Sequence, residues 1–167
     1  MMKNRNRFGS YFLILIIIGF FVFPYCSKPD NKELIEFKYG IFFGECVGYC
    51  KLELRLKSDT TIYTQSDRFG TLKPITCTQT TDKSYWDTLK RDFNIEKFME
   101  LPEYIGCPDC ADGGAEWVEI VLTNGHKQKV TFEFLKEPDI TKDIIAGLRD
   151  LLSQFENCSD LSGVVAL

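Results

Sequence analysis

The stretch CKLELRLK, residues 50–57, is the clearest strand signal in this chain of 167 residues. Its leucines alternate with charged residues, and a period of two places all three leucines on the same side of a strand as Cys50. The pattern predicts a half-buried strand with Cys50 turned toward the core. After a turn at Ser58-Asp59, the stretch TTIYTQS, residues 60–66, is predicted to return as the second strand of a hairpin.

Four further stretches predict strands. They are LIEFKYG (34–40), LKPITCTQ (72–79), WVEIVLT (117–123) and HKQKVTFEF (126–134). Pro74 indicates an edge position for its strand, because proline has no amide hydrogen to donate across a sheet. Asn124-Gly125 suits the type I′ turn of a tight hairpin between the last two strands.

Helical spacing replaces alternation in two places. Apolar residues three and four apart follow Asp82, Asn94 is expected to cap a second short helix, and Pro102 ends this region. A longer apolar stripe over residues 139–156 predicts a final helix with Thr141 or Asp139 as its cap. The expected fold class is therefore α+β, with an antiparallel sheet of five or six strands and helices packed mainly on one face.

Composition excludes two broad classes of protein. Aromatic residues make up 14% of the chain, which argues against a disordered protein. The formal net charge is −4, and the first 26 residues hold the basic Lys3, Arg5 and Arg7 but no acidic residue. The chain without these 26 residues has a more negative net charge. This charge argues against nucleic acid as a partner, because proteins bind nucleic acid largely through Lys and Arg.

The beginning of the chain has the pattern of an export signal. A basic stretch precedes 13 uncharged residues, 11–23, fewer than the roughly 20 that a transmembrane helix needs. Cys26 resembles the lipidated cysteine of bacterial lipoproteins, although Tyr25 stands where those proteins have a small residue. The predicted organisation is a signal peptide over residues 1–26 with lipidation at Cys26, a polar tether over 27–32, one domain over 33–158 and a flexible tail over 159–167.

Six cysteines remain if Cys26 carries lipid, and an even number in an exported chain predicts up to three disulfides. The candidates are Cys46, Cys50, Cys77, Cys107, Cys110 and Cys158. Fifteen connectivities are possible, and the sequence alone does not rank them.

Local geometry narrows the choice of pairs. On a straight strand Cys46 and Cys50 would lie about 13 Å apart, so they can pair only if the chain reverses near Gly48. Cys107 and Cys110 enclose Pro108-Asp109, which suits the centre of a type I turn. Elimination would then leave Cys77 for Cys158.

Two other functions for these cysteines compete with disulfides. Cys46, Cys50, Cys107 and Cys110 could supply four thiolates to a structural zinc ion, although exported thiols tend to oxidise first. The sequence CPDC also looks like the active dithiol of thioredoxin-type oxidoreductases, but Gly113-Gly114 would break the helix that lowers the thiol pKa in those enzymes.

No recognisable catalytic constellation is present in the sequence, and no cofactor is expected. The single imidazole, His126, follows a turn and is expected to be exposed at the hairpin tip. Asp109, Asp112 and Glu116 surround a glycine loop and could bind a hard cation, but a solvated acidic loop is the favoured interpretation.

Several motifs together resemble an uncharacterised bacterial envelope family over residues 35–155. They are ECVGYC before an alternating strand, a helical region ending in FMELPE, an Asp-Gly loop, a hairpin and a final helix. Family members carry a Cys-Phe-Gly-Thr-Cys-type motif, which Cys46, Gly48 and Cys50 match while Val47 and Tyr49 differ, and many members are predicted lipoproteins. The CPDC turn departs from the common family pattern, so the resemblance implies no role for it.

The expected function is a non-enzymatic, envelope-anchored lipoprotein domain that contacts the membrane through its N-terminal lipid and binds a protein or a small ligand. One alternative is a metal-binding or thiol redox protein that uses the CxxxC and CxxC cysteines. Another is a secreted enzyme inhibitor, which rests on fold analogy alone.

Overall fold

The computed structural model describes residues 32–155 and Cys158. The predicted signal peptide, the lipidation site Cys26, the tether before Lys32 and the tail at 159–167 lie outside the described residues. Among the described helices, none has the length and apolar character needed to cross a bilayer.

The described chain forms a mixed sheet of seven strands. They are β1 (Leu34–Phe42), β2 (Lys51–Leu56), β3 (Thr60–Ser66), β4 (Ile75–Thr80), β5 (Tyr104–Ile105), β6 (Ala115–Leu122) and β7 (Lys127–Glu133). Their order across the sheet is β4-β3-β2-β1-β6-β7-β5, so β4, which follows Pro74, lies at an edge. All neighbours are antiparallel except β5, which runs parallel to β7.

The predicted α+β class is confirmed, and the predicted antiparallel sheet of five or six strands is roughly right, since the sheet has seven strands and one of its pairings is parallel. The seventh strand is β5, which follows Pro102 in a segment for which the sequence predicts no strand. Two residues cannot show an alternating pattern, so such a strand leaves no periodic signal. Its pairing partner, β7, supplies the sheet edge that orders it.

Three helices accompany the sheet: α1 (Lys83–Asp92), α2 (Ile95–Met99) and α3 (Lys142–Ser153). Asp82 caps α1 by accepting a hydrogen bond from the amide of Tyr85 at 2.9 Å, and Asn94 caps α2 in the same way. Thr141, one of the two predicted caps of α3, is its N-cap residue, but it makes no side-chain capping hydrogen bond, because its hydroxyl donates to the carbonyl of Pro138 at 2.8 Å. The carbonyl of Asp139, the other predicted cap, accepts a hydrogen bond from the amide of Lys142.

One face of the sheet packs against the helices to form the core. Phe37 and Tyr39 of β1 are fully buried together with Leu54 of β2, and Cys50 is buried as its strand pattern predicts. The helices contribute Trp86, Leu89, Phe98, Ile145 and Leu148 to the same cluster. Burial of large apolar side chains stabilises such a fold by about 25 cal/mol for each Å² removed from water.

The opposite face of the sheet is charged. Lys38 of β1 lies in register between Arg55 of β2 and Glu119 of β6, and its ammonium contacts the Glu119 carboxylate at 2.7 Å. Trp117 lies on this face across Gly40, with the ammonium of Lys129 4.2 Å from its ring centroid. The two faces therefore differ as the alternating patterns require.

Candidate functional site

Three loops meet at one end of the sheet. Strand β1 ends at Phe42 opposite Ala115, and β2 begins at Lys51 opposite Ser66, the last residue of β3. The connections at this end are residues 43–50, 67–74 and 106–114, which we call the loop cluster. Rigid strands on both sides hold these loops, which is the usual arrangement for binding residues.

A disulfide closes the first loop. Cys46 and Cys50 are bonded with their Cα atoms 5.6 Å apart, so the chain reverses between them. Gly48 makes the reversal with φ of +91°, a conformation that is strained for residues with a Cβ atom. The buried Cys50 carbonyl also accepts a hydrogen bond from the amide of Phe43 at 3.2 Å. A disulfide and a backbone hydrogen bond therefore both link the two sides of this loop.

A second disulfide closes the CPDC turn, where Cys107 and Cys110 have their Cα atoms 5.5 Å apart. The amide of Cys110 donates to the carbonyl of Cys107 at 3.2 Å, which completes a four-residue turn. Asp109 has φ of +59° and ψ of 18°, values that belong to the third residue of a type II turn. The predicted type I turn is therefore wrong, and the left-handed conformation falls on an aspartate, which tolerates it better than most residues.

Hydrogen bonds tie the three loops to one another. Asp109 Oδ1 accepts from the amide of Gly44 at 3.0 Å, and Arg68 Nη1 donates to the Gly44 carbonyl at 2.5 Å. The hydroxyl of Tyr49 donates to the carbonyl of Lys73 at 3.0 Å. A Cβ atom at position 44 would overlap the Asp109 carboxylate, so glycine is required at this close approach. The loops therefore support one another beyond their two disulfides.

Exposed apolar side chains are concentrated on the loop cluster. Val47 is fully exposed, Phe69 is 78% exposed, and Tyr49 and Leu72 are also exposed. The guanidinium of Arg68 lies 5.6 Å from the centre of the Phe69 ring, where it covers part of the aromatic surface. A small cavity of about 190 Å³ lies among the three loops, next to Phe42, Asp67 and Arg68. The cluster thus presents rigid apolar surface to solvent.

The remaining cysteine pair lies in a different part of the molecule. Cys77 of β4 is bonded to Cys158, with their Cα atoms 5.9 Å apart. The prediction that the cysteines form disulfides is confirmed, and three disulfides fit an extracellular or envelope protein. In the structure the four sulfurs of the zinc and redox alternatives are occupied in two disulfides, and a three-residue 3-10 turn starts at Cys110 in place of a longer helix.

The acidic residues considered as a cation site are not brought together. Asp109 is bonded to Gly44, whereas Glu116 is completely buried on the core face of β6. Among the described residues no group of three or more His, Cys, Asp or Glu side chains is arranged to hold a metal ion. The backbone amide of His126 donates to the side chain of Asn124 in the exposed β6–β7 turn, at a distance from these loops along the sheet.

A cluster of charged side chains between α3 and the core face of the sheet is not among the features that the sequence predicts. Arg149 of α3 donates to both carboxylate oxygens of Glu116, at 3.1 and 2.7 Å, and also to both oxygens of Glu137, at 3.3 and 2.7 Å. Tyr39 lies beside this cluster, and its buried hydroxyl has no hydrogen-bond partner within the part of the chain that the structure describes. Burial and the charge of Glu116 raise the pKa of Tyr39 well above its usual range.

One signal in the sequence could have revealed this cluster. Glu116 is two residues before Val118, so the period of a strand places both side chains on the same, core-facing side. A buried carboxylate needs a charged partner, and Arg149 follows Ile145 by one helical turn on α3. The expectation of an acidic loop failed because the strand begins two residues before Trp117, at Ala115.

The fold and these loops define a class: an α+β domain in which two short disulfide loops stiffen one end of a mixed sheet. Comparison with models of known protein families and with curated proteins finds no match.

Proposed function

We propose that this chain is an exported, lipid-anchored envelope domain that binds a protein partner through its loop cluster and performs no catalysis. The observation that carries the proposal is the exposure of two apolar side chains: Val47, on the loop that the Cys46–Cys50 disulfide closes, and Phe69, on a neighbouring loop that hydrogen bonds tie to it. Exposed apolar groups on a rigid support lose little conformational entropy on binding, which favours a stable complex.

Export and anchoring rest on two kinds of support. The three disulfides suit an oxidising compartment, and the resemblance to envelope proteins suggests a lipid on Cys26. The chain enters β1 at Leu34, at the opposite end of that strand from the loop cluster, so a tether before Leu34 joins the domain away from these loops. This arrangement suits a tethered receptor or adaptor.

A protein partner suits the loop cluster better than a small ligand. Its cavity of about 190 Å³ is smaller than the roughly 300 to 1,000 Å³ that is typical of ligand pockets. Aromatic residues and arginine dominate the energetics of protein interfaces, and Tyr49, Arg68 and Phe69 all lie on these loops.

The test is recovery of a partner after cross-linking in the native envelope. Val47→Asp/Phe69→Asp introduces two charges into the loop cluster, and Ile35→Asp/Tyr104→Asp introduces the same charges at exposed apolar positions on strands. We expect the loop variant to recover at least ten-fold less of a specific cross-linked protein, whereas the strand variant should recover as much of it as the parent chain. The purified partner should likewise bind the loop variant more weakly than the strand variant. Equal recovery by both variants would overturn the role of the loops.

Anchoring has an independent test. Cys26→Ser is expected to move the full-length chain from the membrane fraction to the soluble fraction. If the variant stays in the membrane fraction, the lipid anchor is wrong, whatever the result for the loop cluster.

A further inference from the structure

A groove separates α1 from α3 on the surface of the helical layer. It consists of two cavities of about 290 and 680 Å³ that share Tyr85, Thr88 and Gly147. Gly147 has no side chain, and its backbone faces the Tyr85 hydroxyl, which a Cβ atom at position 147 would approach to 3.5 Å. The glycine thus keeps the middle of the groove open between the two helices.

The groove has an apolar floor at one end. Leu89 is buried, and Ile140, Ile144 and Tyr85 are partly exposed beside it. Burial raises the pKa of Tyr85 to about 12, to which the charge of Asp150 contributes, so its hydroxyl stays protonated at neutral pH. This floor offers apolar contact to an occupant and a hydroxyl that can donate a hydrogen bond.

Every charged residue that lines the two cavities is an aspartate. They are Asp82, Asp92, Asp139, Asp143 and Asp150. No described lining residue is Lys, Arg or His. Asp82 is used as the cap of α1 and Asp92 pairs with Arg91, whereas the other three form no ion pair with a described residue.

Two of these three aspartates lie on the same side of α3. Asp143 and Asp150 are seven residues apart on α3 with Gly147 between them, so they lie on one stripe of the helix about 10 Å apart. The buried residues Ile145 and Leu148 face the core on the other side of the same helix. The stripe therefore presents two charges to the groove at the spacing of two helical turns.

We infer that this acidic groove between α1 and α3 binds a basic amphipathic segment of a partner protein. Apolar side chains of the segment would contact the floor at Leu89 and Ile144, and Lys or Arg side chains two turns apart would pair with Asp143 and Asp150. A second copy of this chain does not suit the groove, because the chain carries a net charge of −4 and two acidic grooves repel each other.

The probe is a fluorescently labelled 18-residue peptide of leucine and lysine with helical spacing, and its matched control is the same peptide with glutamate at each lysine position. The full-length chain in a nonionic detergent is titrated into each peptide, and binding is followed by fluorescence anisotropy. We expect the lysine peptide to bind and the glutamate peptide to bind at least ten-fold more weakly. Raising the salt to about 1 M should weaken the lysine peptide further, because the carboxylates are exposed to solvent.

Variants locate the binding on the molecule. Asp143→Asn/Asp150→Asn is expected to weaken binding about five-fold, as two exposed ion pairs allow. Glu45→Gln/Asp112→Asn changes the net charge by the same amount at exposed positions that line neither cavity, and it should weaken binding less than two-fold. Gly147→Leu fills the middle of the groove and should also weaken binding, whereas Gly147→Ala, which makes only ordinary contact with Tyr85, should not.

Three results would overturn the inference. One is equal binding of the two peptides, and another is an equal loss of binding in the groove variant Asp143→Asn/Asp150→Asn and in the control variant Glu45→Gln/Asp112→Asn. The third is binding of an uncharged fatty-acid probe that Gly147→Leu abolishes while lysine-peptide binding persists, which would assign the groove to an apolar small ligand. None of these results bears on the loop cluster, so failure here leaves the proposed function standing.

Discussion

Arg149 Nη2 and Glu116 Oε2 lie 2.7 Å apart, and this contact joins the last helix to the first residues of strand β6. The Glu116 side chain is completely buried, whereas that of Arg149 is 24% exposed. A buried carboxylate is tolerated when hydrogen bonds and an opposite charge compensate for the lost water. The geometry here is bidentate, which is the strongest form of such a pair.

Arg149→Met is expected to lower the free energy of unfolding by about 3 kcal/mol, because it leaves Glu116 charged and unpaired in the core. Urea unfolding followed by tryptophan fluorescence measures the loss. Arg91→Met removes an exposed pair with Asp92 and should leave the free energy of unfolding nearly unchanged. Similar losses in the two variants would contradict the importance of burial.

Glu137 makes this cluster sensitive to pH. Its hydrogen bond with Arg149 is the largest cause that lowers the pKa of Glu137 below its usual 4.5. A carboxyl whose pKa is lower in the folded state contributes stability that is complete above 4.5 and is lost as pH falls below that value. Glu137→Gln should therefore flatten the loss of stability that the parent chain shows as the pH falls below 4.5, measured by urea unfolding at a series of pH values. An unchanged loss in this variant would contradict the role of the pair between Glu137 and Arg149.

The sequence predicts an element of this fold reliably only where a periodic pattern of apolar residues is long enough to be recognised. Residues 50–57 repeat a period of two often enough to predict β2 and the burial of Cys50. The prediction of Asn94 as a cap is confirmed, because capping involves only one side chain and the backbone amides of the next helical turn. The strand β5 and the pairing of Glu116 with Arg149 were not predicted. Both depend on contacts between residues far apart in the chain. The period of a strand can place Glu116 on the core side, but it does not show which distant segment packs there.

The hydroxyl of Tyr39 is buried beside Arg149 and Glu116 and has no partner at hydrogen-bond geometry among the described residues, so Tyr39→Phe is expected to leave stability unchanged or to raise it by up to about 1 kcal/mol. Tyr63 provides the comparison, because its hydroxyl accepts a hydrogen bond from the side chain of Gln65 at 2.5 Å. Tyr63→Phe should lower stability by about 1 kcal/mol. The opposite ranking in thermal unfolding would mean that the Tyr39 hydroxyl is bonded in solution.

The disulfides should differ in their effect on stability. Cys77 and Cys158 are separated by 81 positions, and Cys46 and Cys50 by 4. The chain-entropy model gives about 4.5 kcal/mol for closing the long loop and about 2 kcal/mol for the short one. Replacing each pair by alanine and measuring urea unfolding tests this order, and equal losses would show that native packing around the sulfurs outweighs the entropy of the unfolded chain.

Gly40 and Trp117 pack closely against each other on the charged face of the sheet. A Cβ atom at position 40 would overlap the indole ring, which the ammonium group of Lys129 covers from outside. Gly40→Ala is therefore expected to cost about 1 to 3 kcal/mol and to change the near-ultraviolet circular dichroism of tryptophan. Gly147→Ala is the matched control: its added methyl meets nothing closer than 3.5 Å, and in a helix it should raise stability by up to about 1 kcal/mol. Because the expected cost comes from the clash with the indole, Gly40→Ala should cost little in a Trp117→Leu background. A cost that is the same in both backgrounds would mean that the indole is not the obstacle.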